Sequence, residues 1–327
     1  MRPPDFLPSP ELIARAAERR LTHLGDRIQD AWRILNGPGD GAPLGLTLDR
    51  YADWLVLAAR EHLGAPTIEA WARAALDALA PRGLILQTLA PRAGGGTSRL
   101  FHGEPPPTPL PIREADAVLL VDLEHGLSTG LFLDQHDTRL LVRPLATGRT
   151  VLNLFAYTCA FSVHAALGGA ARVTSVDVSK KALRRGRDNM MASGLNPDRH
   201  RWFPDDVPEH LGRAARRGDQ YGLVILDPPV LGRAGGRTFS LEQSLESLLD
   251  GCVQVVEPGG ALLVSVHATS IDGARIRAGV DAGLRPRGLR ASVLSEHGLP
   301  EWDHPATERP DALDRGHYLK TLVLRVG

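Results

Sequence analysis

The sequence predicts an α/β protein in which a doubly wound, mostly parallel sheet follows a small α+β domain. Two observations predict this fold class. From residue 117 onward, apolar strands alternate with helical segments, which is the pattern of a parallel sheet covered by helices on both faces. Between Val151 and Pro229, three of those strands end in polar motifs, and ligands bind to such sheets at the carboxyl ends of the strands.

The composition is that of an ordinary globular chain, long enough for two domains. Of 327 residues, 43% are hydrophobic and 23% charged, which permits a sizeable core and excludes global disorder. The 38 basic and 38 acidic residues give a formal net charge of zero, so RNA binding would need a local patch. Two arginine clusters on predicted helices, which we interpret as solvated faces, are the candidates. They are Arg184, Arg185 and Arg187, and Arg213, Arg216 and Arg217.

Cysteine usage and hydropathy indicate the redox environment of the protein and whether it binds a membrane. Cys159 and Cys252 lie far apart in the chain, so they predict neither a disulfide framework nor a cysteine zinc site, and we expect no metal. The first 20 residues lack the apolar core of a signal peptide, and no apolar run has the length of a membrane span. We therefore expect a cytoplasmic protein with no membrane partner.

The first third of the chain predicts two parts. Residues 1–36 are predicted as a helical segment, with Ser9 as cap and apolar residues at roughly helical spacing to Leu35. Residues 37–112 are predicted as the small α+β domain. Its predicted elements are strands at 44–51, 53–60 and 83–89, a helix at 67–79, and a Gly- and Pro-rich loop at 91–111.

Residues 113–327 are predicted as the domain with the parallel sheet. A strand at 118–123 precedes a loop over 126–139. Further strands are predicted near 150–155, 172–177, 199–204, 221–227, 260–267 and 319–326, and helices at 160–168, 179–194, 206–217, 240–256 and 269–283.

Two strand ends favour a nucleoside ligand. Asn153 to Cys159 form a strand-to-helix turn whose backbone amides suit a polar group, and the absence of a G-x-G-x-x-G pattern weighs against a dinucleotide. Asp177 ends the next strand, 22 residues after Phe155, where a carboxylate can accept both hydroxyl protons of a ribose. Alternatively, Asp177 caps the helix that starts at Ser179.

The following strand ends carry two more acidic motifs. Asp205 and Asp206 could accept from an adenine amino group, or either could cap the helix from Val207. In Asp227-Pro228-Pro229 the prolines fix the backbone at the end of a buried strand. Such rigidity suits a site where a flat base lies in line with a methyl donor, because displacement at a methyl group depends mainly on positioning.

These motifs resemble one family. FLDQHDTR, VLNLFAYTCAFSVHAALGGA, VTSVDVS, LVILDPP, EPGGALLVSV and DHPATERPDALDRGHYLKTLVLRV are similar to the class I methyltransferases, dependent on S-adenosylmethionine (SAM), that modify large-subunit ribosomal RNA. WRILNGPGDGAPLGLTLDRYADWLVL resembles the small domain of those enzymes. The resemblance implies a Rossmann-like methyltransferase fold with an antiparallel last strand, SAM as cofactor and RNA as partner. It also implies that the SAM site is formed by Asp134, Gln135, Asn153, Phe155, Tyr157, Thr158, Asp177, Val178, Ser179, Asp206 and Asp227.

Three departures from the family matter. Cys159 replaces the usual glycine, and if that turn needs a positive φ we expect SAM binding to weaken by about 1–2 kcal/mol. Cytosine-C5 members use a cysteine after the fifth core strand, whereas this chain has Val266 between Ser265 and His267, which argues against C5 chemistry. Many relatives carry an N-terminal RNA-binding module. Only about 35 residues precede the small domain here, so we expect either that RNA contacts come from that domain or the arginine faces, or that RNA targeting is lost.

The resulting hypothesis is SAM-dependent methylation of a base nitrogen in ribosomal RNA. The predicted catalytic set is Asp227, Pro228, Pro229 and His267; His267 could orient the substrate or act as a base, or it could simply end a strand. Two alternatives stay open: a methyltransferase for a small molecule, and an inactive SAM-binding partner in RNA or ribosome assembly. A homodimer is conceivable because some relatives dimerise, although no surface in the sequence argues for it.

Overall fold

The computed structural model describes residues 7–90, 95–124, 126, 128–234, 237–306 and 318–327. It divides into two compact units, Met1–Asp134 with Pro300–Gly316, and Gln135–Leu299 with His317–Gly327. This division differs from the boundaries at 36 and 112 expected from the sequence. Among the described residues, no helix is long and apolar enough to cross a membrane.

The first unit contains a five-stranded sheet in the order β1-β2-β3-β4-β5, in which β3 and β4 are parallel and the other pairs antiparallel. Its elements are α1 (Pro10–Leu24), β1 (Ala31–Asn36), β2 (Leu46–Tyr51), β3 (Trp54–Arg60), α2 (Ala65–Leu79), β4 (Gly83–Leu89), β5 (Gly96–Gly103) and a hairpin of β6 (Leu110–Glu114) and β7 (Ala117–Val121).

Side-chain packing explains why residues 1–36 are not a separate segment. Ile13 of α1 and Trp71 of α2 are fully buried in one core with Leu48 and Leu57 of the sheet. The hairpin β6–β7 joins the same unit, since the backbone of Gln29 bridges to that of Glu114.

The predicted helix over residues 9–36 is wrong in its second half. Helix α1 ends at Leu24, where Gly25 takes a positive φ of 54° that favours glycine. The buried residues that follow belong to β1, which pairs antiparallel with β2. The predicted loop over 91–111 likewise contains β5, which pairs with β4.

The second unit is a seven-stranded sheet in the order β10-β9-β8-β11-β14-β16-β15, with a separate hairpin β12–β13. Its helices are α3 (His136–Ala146), α4 (Ala160–Leu167), α5 (Lys180–Ala192), α6 (Val207–Arg217), α7 (Leu241–Val255) and α8 (Gly273–Leu284). Its strands are β8 (Thr150–Leu154), β9 (Arg172–Asp177), β10 (Arg201–Pro204), β11 (Tyr221–Leu226), β12 (Leu231–Ala234), β13 (Arg237–Ser240), β14 (Val256–His267), β15 (Ala291–His297) and β16 (Leu319–Val326).

The predicted fold class is confirmed. Strands β10, β9, β8, β11 and β14 are parallel, and β16 runs antiparallel to both β14 and β15. Alternate residues of β8 enter two different cores: Leu152 packs with residues of α6, α7 and α8, and Val151 packs with residues of α3 and α4. Helices therefore cover both faces of the sheet, as a doubly wound fold requires.

Candidate functional site

The polar motifs lie together because the strands that carry them are neighbours. Leu154 at the end of β8 pairs with Val176 of β9 and with Leu226 of β11, and Leu226 in turn pairs with Val264 of β14. On the other side, Pro204 of β10 pairs with Asp177. The carboxyl ends of five parallel strands thus form one edge of the sheet, where ligands bind in such folds.

The turn between β8 and α4 has an unusual backbone. Phe155, Tyr157 and Cys159 have φ angles of 56°, 49° and 64°, although none of them is glycine. Residues other than glycine adopt this left-handed region at a cost of about 1–2 kcal/mol each. Such strain is found where surrounding structure fixes a functional conformation. Cys159 therefore occupies a position that does require a positive φ, which is the condition stated for it above.

Asp177 is fixed by the same turn. Its Oδ2 accepts a hydrogen bond from the backbone N–H of Tyr157 at 2.8 Å, and its Oδ1 accepts one from the N–H of Ser179 at 2.8 Å. Ser179 itself is the N-cap of α5, with its hydroxyl accepting from the N–H of Ala182. The cap is therefore Ser179 rather than Asp177. Each carboxylate oxygen keeps a second lone pair for another donor.

Asn153 and Thr158 support the turn from below. Asn153 is 1% exposed, and its Nδ2 donates to Ser162 Oγ at 2.9 Å; within the described part of the chain, its Oδ1 has no hydrogen-bond partner. The carbonyl of Thr158 accepts from Nδ2 of Asn189 at 2.8 Å. Both predicted site residues thus lie mainly inside the protein, where they hold β8 and α5 to the turn.

The residues that follow β9 and β10 have different roles in the structure. Val178 is 49% exposed, which leaves an apolar surface beside Asp177. Asp206 is the N-cap of α6, and its Oδ1 accepts from the N–H of Glu209. Asp205 instead pairs with Arg213 and with Nδ1 of His210. Partial burial alone would raise the pKa of Asp205, but the hydrogen bonds from these two partners outweigh it and lower the pKa.

Gln135 links the ends of β11 and β14. Its Nε2 lies 2.7 Å from Ser265 Oγ, 2.9 Å from His267 Nε2 and 3.3 Å from Asp227 Oδ1, and the side chain is 1% exposed. Asp227 Oδ1 and His267 Nε2 are 3.5 Å apart. One amide thus contacts both a carboxylate and an imidazole at the carboxyl ends of β11 and β14.

The two prolines and the remaining predicted residue are also placed. Pro228 is buried and Pro229 exposed, directly after Asp227. Asp134 is the last residue of the first unit and is 8% exposed there, in a 3₁₀ turn.

Sequence reasoning missed two side chains at this edge. The ring of Tyr318 stacks on His267 with centroids 5.9 Å apart, and Thr321 Oγ1 donates to Ser265 Oγ at 3.1 Å. Both residues lie in the last motif that resembles the family, with Tyr318 just before β16 and Thr321 within it, but nothing in that motif indicated contacts with β14.

Neither cysteine reaches the site as a nucleophile. Cys159 and Cys252 are both fully buried, and burial raises the pKa of each thiol well above its usual value. Where the structure describes the chain, no group of three or more His, Cys, Asp or Glu side chains could hold a metal ion.

Comparison with known proteins identifies the family. The family described as S-adenosylmethionine-dependent methyltransferase matches residues 58–278. YwbD of Bacillus subtilis, named as a candidate ribosomal RNA large subunit methyltransferase, is 30% identical over 321 residues, covering 96% of this chain and 79% of its own length. The ribosomal RNA large subunit methyltransferase I of Shewanella amazonensis is 32% identical over 337 residues, with the same two coverages of 96% and 79%.

A solved structure agrees with these relatives. A candidate methyltransferase, SMU.776, complexed with SAH, superposes with a TM-score of 0.85 at 26% identity, covering 97% of this chain and 80% of its own. A structure of a candidate SAM-dependent methyltransferase from Streptococcus mutans gives a TM-score of 0.84 at the same identity and coverages. The predicted family and cofactor are confirmed: this chain belongs to the S-adenosylmethionine-dependent methyltransferases.

Proposed function

We propose that this enzyme transfers the methyl group of SAM to a base nitrogen of large-subunit ribosomal RNA, without a covalent cysteine intermediate. The two relatives above, named for ribosomal RNA large subunit methylation, support RNA as the substrate. Their names do not favour a small-molecule substrate or an inactive assembly partner.

The observation that carries the choice of a nitrogen is the chemistry at the end of β14. C5 of a pyrimidine becomes nucleophilic only after a thiolate adds to the ring, whereas a base nitrogen can use its own lone pair. Here Ser265 and His267 surround the buried amide of Gln135, and the pKa of both thiols in the chain is raised by burial. Direct attack of a positioned base nitrogen on the methyl group therefore fits this site better than covalent catalysis by a cysteine.

The edge formed by β8, β9 and β10 fits the nucleoside part of SAM. Asp177 presents a carboxylate fixed by two backbone amides, with lone pairs left for two ribose hydroxyls. Exposed Val178 offers an apolar surface for the adenine ring. We assign Phe155, Tyr157 and Ser179 to the rim of this site, with Gln135, Asn153, Thr158, Asp206 and Asp227 as its further predicted members. The role of Asp134, which lies in the first unit, stays a prediction from the family resemblance. When bound, SAM supplies a sulfonium methyl group.

Asp227 and His267 are the proposed substrate contacts. Their facing atoms, 3.5 Å apart, can accept hydrogens from an exocyclic amine or hold the edge of a base whose ring nitrogen is methylated. Pro228 and Pro229 restrict the backbone that carries the carboxylate. Gln135 acts through both groups, so it is a positioning residue.

The test is transfer of radiolabelled methyl from SAM to ribosomal RNA from a strain lacking this gene, with nucleoside analysis of the product. We expect an N-methylated nucleoside, and labelled 5-methylcytidine would contradict the proposal. H267A should lower the rate of transfer by about a hundredfold or more while SAM affinity stays near wild type. D227N should lower that rate at least as much and should also weaken SAM binding, because Asp227 is assigned to the SAM site as well. C252A, altered in a buried helix far along the chain, serves as the control with unchanged chemistry.

Two further parts of the proposal concern the location of the protein in the cell and its oligomeric state. We propose that the enzyme acts in the cytoplasm and has no membrane partner, which cell fractionation tests. A homodimer stays a prediction, and sedimentation equilibrium of the purified chain decides it.

A further inference from the structure

The charge of this neutral chain is unevenly distributed. Residues 172–204, which contain β9, α5 and β10, hold eight lysines and arginines against three aspartates, a net charge of +5 in a chain whose total is zero. Two of the three lysines in the whole sequence, Lys180 and Lys181, form the first turn of α5. This excess cannot be a consequence of overall composition.

The positions of the cations in α5 are opposite to the usual charge preference of helix ends. The N-terminal turn of a helix favours acidic side chains and its C-terminal turn basic ones. Helix α5 has no acidic residue in its first turn and no basic residue in its last. Helix α6 follows the ordinary rule, with Glu209 in its first turn and arginines in its last. The arrangement in α5 is therefore not explained by helix stability.

The two arginine clusters found in the sequence differ in their partners. In α6, Arg213 pairs with Asp205 and Glu209, and Arg217 pairs with Asp219. In α5, only Arg187 has a carboxylate partner among the described residues, Asp198, which is itself 76% exposed in its side chain. Intramolecular ion pairs thus account for two of the three arginines of the α6 cluster. In the α5 cluster they account for Arg187 alone and leave Arg184 and Arg185 available to a ligand.

The cations of α5, including the paired Arg187, follow one stripe that continues onto the sheet edge. Lys180, Arg184, Arg187 and Met191 recur at a spacing of four, three and four, so they share one face of α5. Arg187 lies over the ring of Trp202 in β10, with its Cζ 5.7 Å from the ring centroid.

Strand β10 is at the open edge of the sheet and adds to this stripe. Arg201, the first residue of β10, and Arg199, in the turn before the strand, are both exposed. Met191 and Phe203 are 55% and 36% exposed. Cations often protect an edge strand from pairing with other chains, which explains Arg201 but not the residues of the helix. We call Lys180, Arg184, Arg187, Arg199, Arg201 and Trp202 the α5–β10 surface.

We infer that the α5–β10 surface binds the phosphate backbone of an RNA strand that flanks the methylated base. The inference rests on the proposed function, and it names where that RNA is held. Phosphate contacts from arginine and lysine supply most of the sequence-independent affinity for RNA. The surface begins beside Ser179 and Asp177 at the ligand edge of the sheet, so RNA held there continues toward the site of methyl transfer.

A neighbouring histidine reports the same positive environment. Burial lowers the pKa of His200, and the nearby charges of Arg199 and Arg172 lower it further. An anion bound along this edge would relieve that repulsion, so the pKa of His200 should rise when RNA binds.

The test compares two triple variants of the full chain. R184Q/R199Q/R201Q removes three exposed cations of the α5–β10 surface, and R277Q/R285Q/R290Q removes three exposed arginines on and after α8. A fluorescein-labelled oligouridylate is titrated at several salt concentrations, and SAM affinity and melting temperature are measured alongside. Both variants should melt near wild type and bind SAM as wild type does.

For R184Q/R199Q/R201Q we expect the slope of log K against log salt to become shallower by about 2, and affinity at about 0.1 M salt to fall about a hundredfold. The α8 variant should keep the wild-type slope. R184K/R199K/R201K should restore binding, since the contacts depend on charge. In methyl transfer, the first variant should raise KM for ribosomal RNA with kcat unchanged.

The inference is overturned if the two glutamine variants bind RNA equally well. If wild type still methylates ribosomal RNA in that case, the proposed function stands and only the location of RNA binding is wrong. If wild type neither binds the RNA nor transfers a methyl group to it, the proposed function fails and the surface with it.

Discussion

Replacing Cys159 by glycine tests how much free energy the left-handed residue of the β8–α4 turn costs. Cys159 has a φ of 64°, is fully buried, and is held by packing against α5. A Cβ placed on Gly186 of α5 would lie 2.5 Å from the Cys159 sulfur and 2.7 Å from its Cβ. The thiol and the helix glycine therefore share one space, and each constrains the other.

The expected free energies of unfolding follow from this contact. C159G relieves about 1–2 kcal/mol of backbone strain, loses about 0.5–1 kcal/mol to chain entropy and about 1–2 kcal/mol to the cavity left by two atoms. The variant should thus be slightly less stable than wild type. G186A gains about 0.5–1 kcal/mol of helix propensity but suffers overpacking of about 1–3 kcal/mol.

The double variant C159G/G186A should be more stable than wild type by about 1 kcal/mol, because the new methyl group fills the space of the thiol while the strain is relieved. The coupling free energy is then about 2–3 kcal/mol, a value typical of residues in direct contact. C159A/G186A is the matched control, because alanine keeps the strained φ and the clashing Cβ. It should show no such rescue.

Urea denaturation of wild type, C159G, G186A and C159G/G186A, which form a double-mutant cycle, measures these free energies of unfolding. The control C159A/G186A is measured in the same way. Additive single effects, within about 0.5 kcal/mol, would refute the reasoning. Because packing around Cys159 sets the conformation of the turn, most of the strain should appear in the free energy of unfolding. SAM affinity, measured by calorimetry, gives the separate test of the weakening expected from the sequence.

Three other predictions follow from single contacts. D177N should weaken SAM binding about tenfold or more by calorimetry, since an amide nitrogen cannot accept from both backbone and ribose; unchanged affinity would remove Asp177 from the site. D40N should lower the free energy of unfolding by about 3–5 kcal/mol, because Asp40 pairs with buried Arg20 at 2.7 Å in the first unit; a loss below 1 kcal/mol would contradict this. His200 has a lowered pKa when folded, so its stabilising contribution is present above its unfolded pKa of about 6.5 and is lost as pH falls through the folded value. The Nδ1 atom of His200 accepts a hydrogen bond from the N–H of Val173 only when the ring nitrogen is deprotonated. The variant H200N offers a carbonyl acceptor that does not titrate, so its urea midpoint should fall less than that of wild type between pH 7.5 and pH 5. An unchanged pH profile would show that other groups cause the fall.

The sheet of the second unit was predictable because its strands are buried on both faces. A strand such as β11, with all six residues buried, appears in the sequence as a continuous apolar run with little ambiguity. Strand β15 was missed because the residues of Ala291–His297 are partly or fully exposed and carry no such run. The predicted loop over 126–139 is wrong in its last four residues, which begin α3, and the sequence predicted no helix over 140–146, since Pro144 lies there and removes the usual pattern of a helix.

In the first unit, local sequence was ambiguous between helix and strand. Trp32 and Leu35 fit the apolar spacing of a longer helix, yet they belong to β1, because pairing with β2 outweighs that spacing. Strand β5 lies in a segment rich in glycine and proline, where propensity favours loop.

At the candidate site, the sequence located the strand-end residues but not their mutual contacts. That Asp177 lies at the end of β9 follows from spacing; that its two oxygens accept from Tyr157 and Ser179 does not. Gln135 is the clearer case. Its amide meets Asp227, 92 residues away, and His267, 132 residues away, through tertiary packing that no local pattern records.

The position of β16 has a consequence for how the protein is made. Strand β15 joins the sheet only through β16, and β14 has β16 as its second neighbour, so both depend on a strand synthesised after them. During translation, β14 and β15 therefore emerge with unpaired edges, which are the surfaces on which chains associate with one another. Slow translation or stalling between residues 297 and 319 should thus leave a nascent chain that depends on chaperones, until β16 pairs with both β14 and β15.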